Sequence, residues 1–442
     1  MNSDIIKIVE SEILRNNIDD YSILTYQEKE KMIRFYNNNV SISKNLENSS
    51  IEIYIGHNKK RILGSISNLD KTAIESFVQN LIKSCELNPV DKDYVKLSES
   101  NIVNSYAPDY DKLDNYSSEF LVDLTHSAIN KAIELNIERA AGSLTCTETE
   151  RTIKTSANVE HSEKSTDFLF NIRTFSNKNS SGHGLSCSTT MKDLNVEEAA
   201  ITASNFAVDA SNPKPGKPGI YDLIFTPTVS ADIIQFIGDA SSAFSVDAGM
   251  SFLENQLDKK VSNENFSITD CGIIENGLHS RSFDDEGSPT GNTEIIKNGI
   301  LKNLLHNNTT SNKHSVNNTG NAGIIDPTPW NIVVDQGDSN LDEMIKETTN
   351  GIFVTNNWYT RFQNPRDGTF STVPRDAAFI VKNGKLDQPI KDIRISDSIT
   401  RIINNIELIS DNRSWIKWWE VETPVYSPTL KIKNVPITSS SS

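Results

Sequence analysis

FDDEGSPTGNTEIIKNGILKNLLHNNTTSNKHSVNNTGNAG, residues 283–323, constrains the rest of the chain more than any other stretch. Three acids, Asp284, Asp285 and Glu286, precede Gly287 and a Ser-Pro corner. Asn298-Gly299 then lies between strand formers, Ile295 and Ile296 before it and Ile300 and Leu301 after it. Both residues of an Asn-Gly pair accept positive φ, so this is a tight hairpin with a type I′ turn. A polar segment follows and ends at Thr319-Gly320-Asn321, where glycine supplies dihedral freedom and asparagine a local cap.

Outward toward the C-terminus, AAFIVKNGKLDQPI repeats the apolar–KNG–apolar pattern around Asn383-Gly384, a second hairpin. NIVVDQG reads as a strand, LDEMIKETTNG and SITRIINNIELI as helices, PTLKIKNVPI as the last strand, and Ser439 to Ser442 as disordered. Toward the N-terminus, IYDLIFTP is a strand and VSADIIQFIGDASSAF a helix with Val229, Ile233, Phe236, Ile237, Ala240 and Phe244 on one face. NPKPGKPG, residues 212–219, holds three prolines and two glycines in eight positions and marks the main domain boundary. Before it, helical spacing near the start, alternating strands through residues 32–66 and a helix near residue 80 form a first unit. An irregular connector at 88–115, a helix, Thr- and Ser-rich strands and a second helix form the next. The reading is an α+β protein: N-terminal lobes of antiparallel strands plus helices at 1–95 and 96–213, then a mixed sheet-and-helix domain at 214–442.

The ordered set of DDEG-x-P-T, the KNG-I-L-K hairpin and TGNA resembles the C-terminal domain of the TldD/PmbA (TldE) family of zinc metalloproteases and their partners. In the catalytic branch the resemblance implies HExxxH on the helix after the first C-terminal strand. There, two histidines hold Zn²⁺ and the glutamate activates the bound water. In this chain that helix reads Gln235-Phe236-Ile237-Gly238-Asp239-Ala240, and no His-Glu dipeptide occurs anywhere. The family's third ligand is a cysteine near the C-terminus, yet no cysteine follows Cys271. The chain therefore resembles the PmbA/TldE branch, in which no catalytic or metal residue is expected and zinc belongs to a TldD-like partner.

Composition narrows the remaining choices. At 36% hydrophobic and 23% charged, 442 residues suffice for two or three cores. A net charge of −16, without a basic cluster, lacks the footprint that phosphate neutralisation requires, so no nucleic-acid partner is expected. The N-terminal residues lack the apolar core of a signal peptide and no run is long enough to span a bilayer, so a cytoplasmic location and no membrane partner are expected. Cys85, Cys146, Cys187 and Cys271 lack CxxC pairing and read as reduced, buried thiols.

Several side chains invite a chemical reading. His183, Cys187 and Cys146 could approach across a sheet, but the first two lie in a Gly/Ser-rich turn, and chance spacing is the better account. His306 and His314 read as solvated loop or helix-surface histidines. Asp284, Asp285 and Glu286 can raise one another's pKa as a general base, yet three acids in a loop read by default as a solvated turn. The resemblance implies that Asp284, Asp285, Glu286 and Gly287, with Thr319, Gly320 and Asn321, shape a substrate tunnel through hydrogen bonds to backbone amides. It also picks out RDGTFS, where Arg366 would reach a carboxylate beside Gly368 and Thr369, by default as a structural salt bridge. Trp415, Trp418 and Trp419 suit a subunit interface or a core equally.

Three functions remain open at this stage. The first is a metal-free subunit that pairs with a TldD-like chain and walls a chamber for peptides or unfolded segments. The second is a homodimeric peptide-binding protein using a sheet edge. The third is a hydrolase or peptidase with a site other than HExxxH, such as the acidic loop.

Overall fold

The computed structural model describes residues 2–18, 20–99, 107–323 and 325–439. The terminal serines 440–442, and positions 100–106 of the expected 88–115 connector, lie outside the described residues. Among the described residues the N-terminal half is built on one six-stranded antiparallel sheet. Its order is Lys60–Ile66, Asn39–His57, Asp20–Tyr36, Arg139–Thr155, Glu160–Asn177, Ser180–Ser188. Asn37-Asn38, with φ of +49° and +63°, turns Asp20–Tyr36 back on its neighbour, as a type I′ hairpin requires. The sheet passes through position 95, because Asp20–Tyr36 pairs with Arg139–Thr155.

Two pairs of helices cover this sheet. Asn2–Arg15 and Lys71–Leu87 bury Val9, Ile13, Ile74 and Val78 against Ile23, Ile51 and Ile53. Ser118–Glu134 and Val196–Asp209 bury Leu121, Ala128, Ala200 and Ala203 against Leu144, Phe168 and Phe170. The alanines let Val196–Asp209 approach closely. A Cβ at Gly182 or Gly184 would stand 2.0 Å from the carbonyl oxygen of Ala203 or Ala199. The edge strand needs glycine there for that contact alone.

The C-terminal half is, among the described residues, a fourteen-stranded mixed sheet. Gly219–Phe225 lies between Val421–Ser439, antiparallel to it, and Asn350–Val354, parallel to it. Helix Pro227–Ala240 starts one residue after that strand, and Pro227 fits the first turn because the N–H it lacks would have no helical acceptor. Val229, Ile233, Ile234 and Ile237 bury one side of the helix in the domain core. Both Asn-Gly pairs form the expected hairpins, with φ of +49° and +77° at Asn298-Gly299 and +50° and +76° at Asn383-Gly384.

Three local expectations fail. The 229–244 helical pattern breaks after Ala240, where the Ser241 hydroxyl donates to the Gly238 carbonyl (2.6 Å), and a separate turn, Ala243–Asp247, carries Phe244. SITRIINNIELI is helical only over Ile399–Asn404; Ile406 onward is strand, paired with Val421–Ser439. His306 is buried, with its Nδ1 3.2 Å from the Thr310 hydroxyl. Helix Asn308–His314, closed at its start by an Asn307–Thr310 capping box, brings the His306 and His314 rings to 5.5 Å.

Candidate functional site

Asp232, Gln235, Phe236 and Asp239 follow one another at i, i+3, i+4 and i+7 and share a face of Pro227–Ala240. The turn between Ile406–Trp418 and Val421–Ser439 runs along that face. Gln235 fastens the two together: its Nε2 donates to the Glu420 carbonyl (2.6 Å) and its Oε1 accepts from the Glu422 N–H (3.1 Å). Phe236 packs edge-on against Phe362, ring centres 4.6 Å apart. Ala240 is buried and its carbonyl accepts from the Ser251 hydroxyl (2.6 Å).

Asp232 is fully buried and accepts from the Asn357 amide, the Thr360 hydroxyl and Gln235 Nε2. Desolvation pushes it up to about 7, and the nearby Glu420 adds to this against the lowering effect of the hydrogen bonds. Glu420 is buried too, but it has a base: Arg361 lies 3.0 Å away, and the Tyr359 N–H also donates to it. Desolvation, then Glu422 and Asp326, push Asp239 up to about 6. Asp239 itself is exposed to solvent.

The acidic loop occupies a different place. Asp284 is fully buried and accepts from the N–H groups of Glu286 (3.0 Å), Ser288 (2.8 Å) and Ala322 (3.0 Å). Asp285 meets Arg151 at 2.9 Å and Arg281 at 3.8 Å, and its carbonyl accepts from Ser22 (3.0 Å). Arg151 also pairs with Glu163 (3.0 Å), donates to the Phe283 carbonyl and lies over the Phe283 ring. Glu286 is buried, accepts from the Asn308 N–H (2.9 Å) and is pushed well up by desolvation and by Asp284. The default reading of a solvated turn is therefore corrected: the sheet of the N-terminal half supplies the cover and Arg151 the counter-charge.

Thr319, Gly320 and Asn321 close the far side of that loop. The Thr319 hydroxyl bridges His306, Gly320 has φ +72° against the Pro289 carbonyl, and Asn321 donates to the buried Asp270. Gly287, φ +81°, rests on Val159. Arg366 is exposed and reaches Glu254 only at 3.9 Å, while Gly368 (φ +72°) faces Phe252 and Thr369 bonds Asp367. The acidic loop and residues 319–321 are thus brought together, whereas the helix at Gln235 has neighbours of its own.

Between the two halves lies a cleft of about 520 Å³. Ser143, Thr145 and Asn171 line it from the N-terminal sheet, and Trp418, Trp419 and Glu422 from the turn that Gln235 holds. His183 packs on Trp418 with ring centres 4.7 Å apart, and its burial drives it down to about 4, which keeps it neutral. Cys187 donates to the Trp415 carbonyl (2.9 Å), and Cys146 is sealed in the core, so the three do not converge.

A family model described as the PmbA/TldA metallopeptidase C-terminal domain matches residues 218–439, half of the chain. The chain belongs to the TldD/PmbA family. It is 29% identical over 223 residues to a metalloprotease of Methanocaldococcus jannaschii, a match covering 49% of each chain. The chain thus spans about half the length of the first curated relatives it matches. To a PmbA-homologous metalloprotease of Haemophilus influenzae it is 25% identical over 392 residues, 82% of this chain and 80% of the other. In fold it is similar to TldE from Thermococcus kodakarensis, with a TM-score of 0.86, 19% identity and 99% of each chain covered. That likeness supports the α+β architecture.

The metalloprotease names of its TldD/PmbA relatives raise the question of zinc. The residues at the HExxxH stations do not fit it. Both ends of the Gln235 amide are bonded to the 420–422 backbone, Ala240 offers no donor atom, and Asp232 is enclosed by hydroxyl and amide groups. Among the described residues no group of three or more His, Cys, Asp or Glu side chains is arranged to hold a metal. Sequence reasoning missed Asp232 and Asp239 although both were legible, three residues before and four after Gln235 on one helix face. Asn357, Thr360 and Glu420 gave no such signal, because only the folded sheet brings them to the helix.

Proposed function

We propose that this chain is a metal-free, TldE/PmbA-like subunit that pairs with a TldD-like, zinc-bearing chain and walls the chamber in which peptides or unfolded segments are cut. The observation that carries the reading is the Gln235 clamp, a closed hydrogen-bonded joint on the helix where the family resemblance sets HExxxH in the catalytic branch. Support for the pairing comes from Buchnera aphidicola, in which one relative of this chain is named a TldD homolog and a second a PmbA homolog. The acidic loop is disfavoured as an alternative hydrolytic site, since Asp284 spends its carboxylate on three backbone N–H groups. We place the chain in the cytoplasm; among the described residues no helix is long and apolar enough to cross a membrane. Units 1–95, 96–213 and 214–442 belong to the same proposal, with the first two joined by one sheet.

Co-expression with an HExxxH paralogue from the same genome tests this. The expected result is a stable complex that cleaves unfolded peptides faster than the paralogue alone, with zinc by elemental analysis in the paralogue only. Two chains that never associate, or a paralogue fully active by itself, would sink the reading.

A further inference from the structure

We infer that the cleft at Trp418 and Trp419 takes an organic cation carried on an alkyl stem: a lysine or arginine side chain of an extended peptide. The inference rests on the proposed peptide-handling role, and it names the cleft that would hold the peptide and the side chain the cleft selects.

Charge is the first ground. Glu422 lines the cleft, is exposed, and has no base within ion-pair distance among the described residues. Asp239 and Asp326 do not line the cleft, but both are exposed, lack a base within ion-pair distance among the described residues, and act with Glu422 as one acidic group. Lys417 also lines the cleft, but Asp167 already pairs with it at 3.6 Å. The crowding that pushes Asp239 up to about 6 comes from burial and from acids alone. An acid without a counter-charge in the cleft wall, with two more acids adding to its field, favours a cation that arrives from outside.

Shape is the second ground, and it is independent of charge. Trp418 and Trp419 stand 5.4 Å apart at 72°, so their faces form two walls of a corner. His183 backs the first ring, and Trp358 meets the second at 5.8 Å. Trp419 remains about half exposed (53%) while lining the cleft. Indole faces attract ammonium and guanidinium groups and cover alkyl stems equally well. On the opposite wall Asn171 and Ser143, bonded to each other at 2.9 Å, present the amide and hydroxyl groups that suit a peptide backbone. A compact metal ion lacks converging ligands here, whereas an extended cation can span from indole to carboxylate.

The test is calorimetric titration of the full-length chain with a blocked five-residue alanine peptide carrying lysine at its centre. Peptides with norleucine or glutamate there, and free spermidine, serve as comparisons. The lysine peptide is expected to bind about tenfold more tightly than the norleucine peptide, with added salt shrinking the difference. Glu422→Gln and Trp419→Ala, both at exposed side chains, are each expected to lower that preference by about fivefold, with unchanged circular dichroism. Equal binding of the lysine and norleucine peptides overturns the inference, as does a preference untouched by both substitutions, or no peptide binding at all. Spermidine bound in a Glu422-dependent way without any peptide binding overturns the peptide source. A chain that keeps the lysine preference but never associates with the HExxxH paralogue sinks the pairing reading alone.

Discussion

The acidic loop and the helix at Gln235 both bury carboxylates, but they satisfy them by different means. In the loop, Asp285 faces two guanidinium groups, and Asp284 takes three backbone N–H groups. On the helix, Asp232 faces amide and hydroxyl groups with no base among its partners. The loop's bonds join segments more than 130 positions apart, from Arg151 and Ser22 to Phe283 and Asp285. A motif that looks catalytic in sequence is thus a joint between the two halves, and a helix with no conspicuous motif holds, through Gln235, the turn that lines the cleft. Charge compensation separates Asp285 from Asp232: the first is a paired ion that fastens a joint, whereas burial pushes the second up with no base to oppose it, as it does Asp284 and Glu286 beside Asp285.

Breaking the joint should have the largest effect. Arg151 is 5% exposed and serves Glu163, Asp285 and the Phe283 carbonyl at once. Arg151→Leu would leave Glu163 without its base and Asp285 with only the more distant Arg281, 3.8 Å away, a loss of about 3–5 kcal/mol by the behaviour of other broken buried pairs. Urea unfolding followed by fluorescence should show it, together with a separate early transition for the N-terminal half. A loss under about 1 kcal/mol would show that the loop carries no such load.

Much of the fold was legible in the sequence, and the reason is local. Asn298-Gly299 and Asn383-Gly384 dictate their hairpins whatever surrounds them, and the apolar face of Pro227–Ala240 repeats with helical period. Ile406–Trp418 was not legible: IELI continues a helical pattern in isolation, and pairing with Val421–Ser439 overrides it. His306 failed for the same reason, since its burial depends on the capping box and on Thr319, thirteen residues away. At the site, one face of a helix could be read, but Asn357 and Thr360 come from a strand, and Glu420 from a turn, more than 120 positions distant.

The Gln235 clamp ranks next. Gln235→Ala leaves the Glu420 carbonyl and the Glu422 N–H without their partner, at a cost of about 2–3 kcal/mol. Hydrogen exchange should then quicken at Glu422 while Ile432, deeper in the same strand, stays protected. Equal exchange at Glu422 in both proteins would mean that the clamp is incidental.

Asp232→Asn isolates the uncharged acid. Its folded pKa, about 7, lies above the unfolded value near 3.9, so the folded state holds the extra proton between these limits. The contribution of Asp232 is therefore complete below about pH 4, declines as pH rises to about 7, and is flat beyond. The stability of the native chain minus that of the variant should follow this curve, and a difference constant across pH 4–8 would count against a protonated Asp232.

The smallest effect is expected at Arg366, the most conspicuous base of the RDGTFS patch. Its side chain is 71% exposed and reaches Glu254 at 3.9 Å, the outer limit of an ion pair. Such a pair gains little Coulomb energy in water and costs side-chain entropy to hold, so Arg366→Ala should change stability by no more than about 0.5 kcal/mol. The informative measurement is therefore made with the HExxxH chain present. If Arg366 reaches a carboxylate of that chain, the substitution weakens the complex and makes its salt dependence shallower while the isolated subunit melts as before. Unchanged association would remove Arg366 from the interface and leave the turn itself, held by Gly368 at φ +72° and the Asp367–Thr369 bond, as the reason for the motif.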